Sequence, residues 1–369
     1  MYRPTAAEID LTAIRDNLRA IRACTPLRTQ VIGVVKADAY GHGAVRVAAV
    51  LEQEQVHVLA VATPDEAVEL RDSGITAEIL VLGHSPADFV SYAVMNNVAL
   101  TTVNQATTVM YGAAAGTHTV QLHYNIDTGM GRAGVPANQA TEQILHSAAV
   151  HRVDIVGLYS HFACAESDPA FTDLQRARFV EVVREVRAGG LQPAMVHLAN
   201  SAGMFTCPGA MLDGVRPGIL LYGCPPVPSP TCPVRPALAL RTQLEMVKEL
   251  PSGHGIGYGR TFITDQPTRM ALIPIGYADG YLRALSNKAH VILRGRFAPV
   301  IGRVSMDVCA IDVSDIPAAM PGDPVTLIGE QDGLAITAED LARLMGTISD
   351  EVLTGISKRV PRVYLERRT

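Results

Sequence analysis

From about residue 30 onward, short apolar runs alternate with amphipathic stretches. The runs at 31–35, 58–62, 79–82, 99–103, 120–126, 155–159, 195–198 and 219–222 are strand-length and rich in Val, Ile, Leu and Ala. Helical patterns fall between most of them, for example at 64–72 and 172–187. The first of these opens with Thr63 before Pro64 and carries Asp65 and Glu66 in its first turn, an ordinary helix start. Roughly eight strand–helix units in about 200 residues predict a parallel (β/α)8 barrel.

The pattern changes at C-P-P-V-P-S-P (224–230), which can continue neither a helix nor a central strand and marks a linker. Beyond it, runs at 237–247, 270–274, 290–293, 308–313 and 324–328 alternate as strands do, and only 337–344 reads as helix. The expected architecture is α/β: an N-terminal (β/α)8 TIM-like barrel over 1–224, then a mostly β C-terminal domain over 225–369.

A length of 369 residues suits two cores better than one, and 48% hydrophobic with 18% charged residues describes a well-buried chain. The net charge of −5 is spread without a basic run, so neither nucleic acid nor a membrane surface is an expected partner. The N-terminus lacks the apolar core of a signal peptide, and no apolar stretch reaches bilayer length. Six scattered cysteines form no C-x-x-C pair, which favours reduced thiols, no metal site and a cytoplasmic location.

Candidate chemistry begins at V-V-K-A-D-A-Y-G-H-G (34–43). A lysine directly after an apolar strand sits at the mouth of a barrel, where such folds keep their active sites. On position alone such a lysine is more often a solvated edge residue; Tyr40, His42 and two glycines make the segment more specific. Further segments follow: D-T-G-M-G-R-A-G (127–134), S-H-F-A (160–163), H-L-A-N-S-A (197–202) and R-P-G-I-L-L-Y-G (216–223). Past the linker come G-Y-G-R-T (257–261), G-Y-A-D-G-Y (276–281), G-R-V-S-M-D (302–307) and K-R-V-P-R (358–362). In this order, and across both domains, the series resembles the alanine racemase family of fold-type III pyridoxal-phosphate enzymes.

The resemblance implies that Lys36 carries pyridoxal 5'-phosphate as a Schiff base and serves one face of the substrate α-carbon. Tyr258 matches the opposite-face base, donated by the partner subunit of a homodimer with shared active sites. Arg216 matches the residue facing the pyridine nitrogen; because arginine keeps its proton, that nitrogen stays unprotonated and the ring is a weaker electron sink. His161 would support Arg216, while Tyr40, Asn200, Ser201, Gly218, Ile219 and Tyr222 match the cofactor-contacting set. Arg132 and the Met306 N–H match the substrate-carboxylate contacts, and Tyr277 would line the entrance from across the dimer.

Two positions depart from the family pattern. Asn125 stands where many members have a carbamylated lysine that steadies the arginine, and a chloride ion held by Asn125 and Arg132 is the expected substitute. T-I-S-D-E (347–351) replaces T-I-x-Y-E, so Asp350 stands where the family has a tyrosine that crowds the substrate side chain. Asp350 makes a serine or dual alanine/serine racemase the alternative to an alanine racemase; surface drift without effect is the bland reading. A decarboxylase of basic amino acids shares the domain plan but not the G-Y-G-R-T and S-M-D segments in this register. A pyridoxal-phosphate-binding homeostasis protein would be barrel only. Whether the product serves as a peptidoglycan precursor, in catabolism or in resistance stays open.

Overall fold

The computed structural model describes residues 3–228 and 231–366 and divides into two compact units. Of the described residues, one comprises 14–39, 44–228 and 231–234, the other 3–13, 40–43 and 235–366.

In the first unit eight parallel strands close into a barrel. They are β1 (Gln30–Val34), β2 (Val58–Val61), β3 (Glu78–Val81), β4 (Val98–Thr102), β5 (Val120–Asp127), β6 (Val153–Tyr159), β7 (Met195–Asn200) and β8 (Gly214–Arg216). Each pairs with its sequence neighbours, and β8 returns to β1 with Val215 opposite Val31. The strands are apolar on both faces because side chains fill the barrel inside and helices cover it outside; every residue of β2 and β4 is buried. The helix Ala44–Gln53 shows the matching pattern, burying Ala44, Val47, Ala48 and Leu51 at helical spacing.

The helix Pro64–Asp72 starts as its sequence predicts. Thr63 accepts from the Glu66 N–H, and Glu66 returns the bond to the Thr63 N–H, a reciprocal cap. The run 219–222 does not form the eighth strand. It is a 3-10 turn, Ile219–Tyr222, and the strand is the shorter Gly214–Arg216 ended by Pro217. All four residues of the turn are buried, so their apolar character reported burial rather than strand geometry, which periodicity cannot separate in so short a run.

The second unit is mostly β, a ten-stranded sheet with largely antiparallel pairing. The N-terminal strand Ala6–Asp10 belongs to it, antiparallel to Leu238–Gln243 and parallel to Arg362–Leu365. Ion pairs Arg241–Glu8 and Arg235–Asp10 fasten that strand. A small core of Leu250, Ile256, Met270, Ile301 and Ala310, flanked by Phe262 and Leu272, lies in this unit. Among the described residues no helix is long and apolar enough to cross a membrane.

Candidate active site

Lys36 lies two residues past the end of β1, at the carboxyl-end rim of the barrel. Asn125 stands near the end of β5, His161 follows β6, Asn200 ends β7 with Ser201 after it, and Arg216 ends β8. Parallel strands bring all these positions to one rim, the usual place for barrel chemistry.

After Val35 the backbone turns left-handed. Ala37, Asp38, Ala39 and Tyr40 have φ of 52°, 53°, 53° and 53°, a helical turn in a region L-residues resist. Neighbouring groups hold this segment in place. The Glu66 carboxylate accepts from the Ala37 N–H at 2.7 Å and the Ala62 N–H at 2.6 Å, and Asp38 accepts from the Ala44 N–H at 2.7 Å. Tyr222, fully buried, donates its single phenol proton to the Val34 carbonyl at 2.8 Å.

Arg216 is a buried cation. Its Nη1 donates to His197 Nδ1 at 2.5 Å and to the His197 carbonyl at 3.0 Å. Its Nη2 donates to the carbonyls of Ser160 at 2.5 Å and Leu198 at 3.1 Å, with His161 Nδ1 farther off at 3.4 Å. Among the described residues no acceptor meets the Nε–H, which leaves one strong donor for a ligand. Burial pushes Arg216 down to about 10, opposed by Tyr159 and assisted by the charge of Arg132, so it keeps its proton at neutral pH. The Tyr159 ring lies beneath the guanidinium, 5.3 Å from Cζ to the ring centroid. Burial first, then the charges of Arg216, Arg132 and Lys36, pushes His161 down to about 3; it is a neutral ring among cations.

The turn after β8 is tied to β7, since Ser201 Oγ accepts from the Leu220 N–H at 3.3 Å. Gly218 and Ile219 open that turn, where N–H groups have no acceptor inside the helix. The Asn200 side-chain oxygen is taken by the Gly203 N–H at 2.9 Å. Arg132 rides an exposed loop shaped by Asp127, whose carboxylate accepts from the N–H groups of Gly129 and Gly131. Thr128 secures the loop through Ser160 Oγ at 2.8 Å and Gln175 at 3.1 Å.

The remaining expected residues lie in the second unit. Tyr258 is 70% exposed on a turn between Gly257 and Gly259, whose φ of 65° and 72° only glycine adopts without strain. The turn joins the paired strands Gly255–Ile256 and Phe262–Ile263, and Ile256 plugs it into the small core. Tyr277 begins a 3-10 turn, and its N–H donates to the Ser305 carbonyl at 3.0 Å while that of Ala278 reaches the Met306 carbonyl at 3.0 Å. Asp279 accepts from the Gly276 N–H at 3.0 Å and from Arg3 Nη1 at 2.8 Å, which fixes the turn from behind. Met306 is 51% exposed, and no described residue takes its N–H. Asp350 opens the helix Ser349–Thr354 near Tyr40, whose buried phenol is raised first by burial and then by the Asp350 charge.

Reading the sequence alone missed the part of His197. It sits within a segment already singled out, yet inside an apolar strand nothing marked it as the partner that Arg216 meets at 2.5 Å. His161, assigned that support, is the more distant of the two.

Family models agree with the two-unit plan: residues 9–226 match the alanine racemase N-terminal domain and residues 237–364 the alanine racemase C-terminal domain. An alanine racemase of Desulfovibrio desulfuricans is 42% identical over 371 residues, covering 99% of this chain and 99% of its own. "Alanine racemase 2" of Caldanaerobacter subterraneus subsp. tengcongensis is 41% identical, covering 99% of this chain and 96% of its own. The solved structure of alanine racemase from Clostridium difficile 630 superposes with a TM-score of 0.93 at 36% identity, over 99% of this chain and 97% of that one. A barrel with a lysine and a buried arginine on its rim, a β unit presenting a glycine-flanked tyrosine, and agreement of both units with one family lead to one conclusion: this chain belongs to the alanine racemases.

Proposed function

We propose that the chain interconverts L- and D-alanine, using pyridoxal phosphate, with Lys36 and Tyr258 as proton carriers on opposite faces of the substrate. The observation that carries this reading is Arg216, a buried guanidinium whose N–H groups are taken by the protein except at Nε. A single donor that keeps its proton suits the unprotonated nitrogen of a pyridine ring, where a carboxylate would suit a protonated one. The rest of the rim fits the same group. Ser201 offers a hydroxyl, the amides of Gly218 and Ile219 open a turn apt for phosphate, and Lys36 offers the amine.

Pyridoxal phosphate, when bound, supplies the electron sink that makes the α-hydrogen of an amino acid acidic. The chain's own residues do the rest. Arg132 holds the substrate carboxylate, with the N–H of the partner subunit's Met306 given by its second unit, and so orients the Cα–H bond. Lys36 Nζ takes or returns the α-proton on one face, and Oη of the partner subunit's Tyr258 does so on the other. The outward presentation of Tyr258 and Tyr277 supports a homodimer in which each copy completes the other's site. The buried Tyr222 keeps the segment before Lys36 in register through its bond to the Val34 carbonyl.

Asn125 has no side-chain hydrogen bond to the described residues, and a chloride ion between it and Arg132 would supply negative charge beside that arginine. Circular dichroism of each alanine enantiomer incubated with the enzyme tests the assignment: both must decay to the same racemic endpoint. Retention of either optical signal, with an enzyme whose cofactor absorbance is intact, refutes it.

A further inference from the structure

We propose that His123 is a positioning residue for Arg216: working through His197, it fixes which nitrogen of that ring carries the proton and so keeps the guanidinium seated. This rests on Arg216 meeting the pyridine nitrogen, as read above.

The argument is one of donors and acceptors. A guanidinium can only donate, and Arg216 Nη1 lies 2.5 Å from His197 Nδ1, so that nitrogen carries no proton. His197 is fully buried beside a cation and is held well below its ordinary pKa, by burial first and then by Arg216; the ring is neutral and its one proton sits on Nε2. Nε2 lies 2.9 Å from His123 Nδ1, which must therefore accept, placing the proton of His123 on its own Nε2. Every hydrogen bond from the arginine to the second histidine thus runs in one direction. In the other tautomer His197 would aim an N–H at the guanidinium and a lone pair at His123.

The surroundings are built for these two rings. His123 is 1% exposed on β5 and pairs in register with Gly157 on β6. A Cβ at residue 157 would lie 2.2 Å from His123 Nδ1 and 2.4 Å from Cε1, so only a residue without a side chain leaves space for the imidazole. The face of His197 stacks on Tyr159, 5.1 Å between centroids at 12°, while Tyr159 Oη is held by Thr101 at 3.0 Å and by the Leu82 carbonyl at 3.2 Å. Tyr159 fixes the plane of His197, and His123 fixes its proton. Without an acceptor at position 123 the buried Nε2–H of His197 is left unpaired, a cost that offsets the bond from Arg216 and draws the proton in part to Nδ1, where it opposes Arg216 and displaces the one N–H left for the ring nitrogen.

The test uses cofactor-loaded enzyme with 15N-labelled histidine rings, with signals assigned through a His197→Gln variant. In the wild type His197 should show a bare Nδ1 and a protonated Nε2. His123→Leu, which has no acceptor, should mix the tautomers, shift the absorbance of the bound cofactor and lower kcat about tenfold with KM changed less than about twofold. His123→Asn keeps an oxygen near the position of Nδ1 and should restore all three. A protonated Nδ1 in wild-type His197 overturns the proposal, as does a His123→Leu enzyme whose ring signals match the wild type. Should the ring signals change while absorbance and kcat do not, the proton lock stands and it is the placement of Arg216 at the cofactor that fails.

Discussion

Replacing Glu66 with alanine would remove the carboxylate that joins a helix cap to the backbone behind the Lys36 amine, the proposed proton carrier. Three N–H groups converge on it: Ala37 at 2.7 Å, Ala62 at 2.6 Å and Thr63 at 3.1 Å. Bonds from amides to a charged acceptor contribute about 1.5–3 kcal/mol each when fully enclosed. Glu66 is only partly buried, and water can replace part of what is lost. Losing the whole set should therefore cost about 2–4 kcal/mol, cap included. For a unit of this size that lowers Tm by roughly 5–15 °C. Glu66→Gln retains one acceptor oxygen and should recover about half the loss. The functional effect comes from Ala37, whose N–H directly follows Lys36: released, the left-handed turn relaxes and the amine leaves its position. A drop in kcat of about tenfold, equivalent to about 1.4 kcal/mol, is expected alongside the thermal shift. Calorimetry and steady-state racemisation on the same preparation are the assays. A variant that melts with the wild type and turns over at the same rate would show that water or another group already holds these amides.

Other outcomes follow from the second unit and from the barrel rim. Burial works to raise Asp279, but the Arg3 bond, the Gly276 N–H and the charges of Arg3 and Arg359 together hold it below its usual value. The stability it contributes is therefore present above the unfolded carboxylate value of about 3.9 and is lost as pH falls through the folded one; Asp279→Asn should flatten the acid limb of a Tm-against-pH curve. Asp350→Tyr should lower kcat/KM for serine relative to alanine, and an unchanged ratio means the residue does not set specificity. Exchange into chloride-free buffer should raise KM for alanine through a less steady Arg132, with chloride restoring it and Asn125→Leu abolishing the response. An Asn125→Leu enzyme that still responds to chloride places the ion elsewhere.

Much of this architecture was legible in the order of residues, and the exceptions have physical causes. Thr63, Pro64 and Glu66 announced a helix start because capping is local chemistry written within four residues. Lys36 could be placed because a lysine straight after an apolar strand has only one end of a barrel to occupy, whereas Arg216 could not, since the run expected as the eighth strand began after it, at residue 219. The turn at Ile219–Tyr222 misled because a fully buried segment loses the alternation that separates strand from helix. The pairing of His123 with His197 was invisible because 74 residues separate partners that only barrel closure makes neighbours. The left-handed turn had no local warning either: Ala-Asp-Ala-Tyr contains no glycine, and its conformation is imposed by bonds from Glu66 and Asp38.

That turn has a consequence for chirality. L-residues resist this conformation by about 1–2 kcal/mol each, so residues 37–40 hold roughly 4–8 kcal/mol of strain. For a D-residue the preference is reversed by mirror symmetry. Two of the four residues are alanines, so a semisynthetic chain with D-alanine at 37 and 39 would settle there with about half that cost. The stretch of backbone behind the Lys36 amine is folded in the hand of one of the two enantiomers proposed to pass through its site.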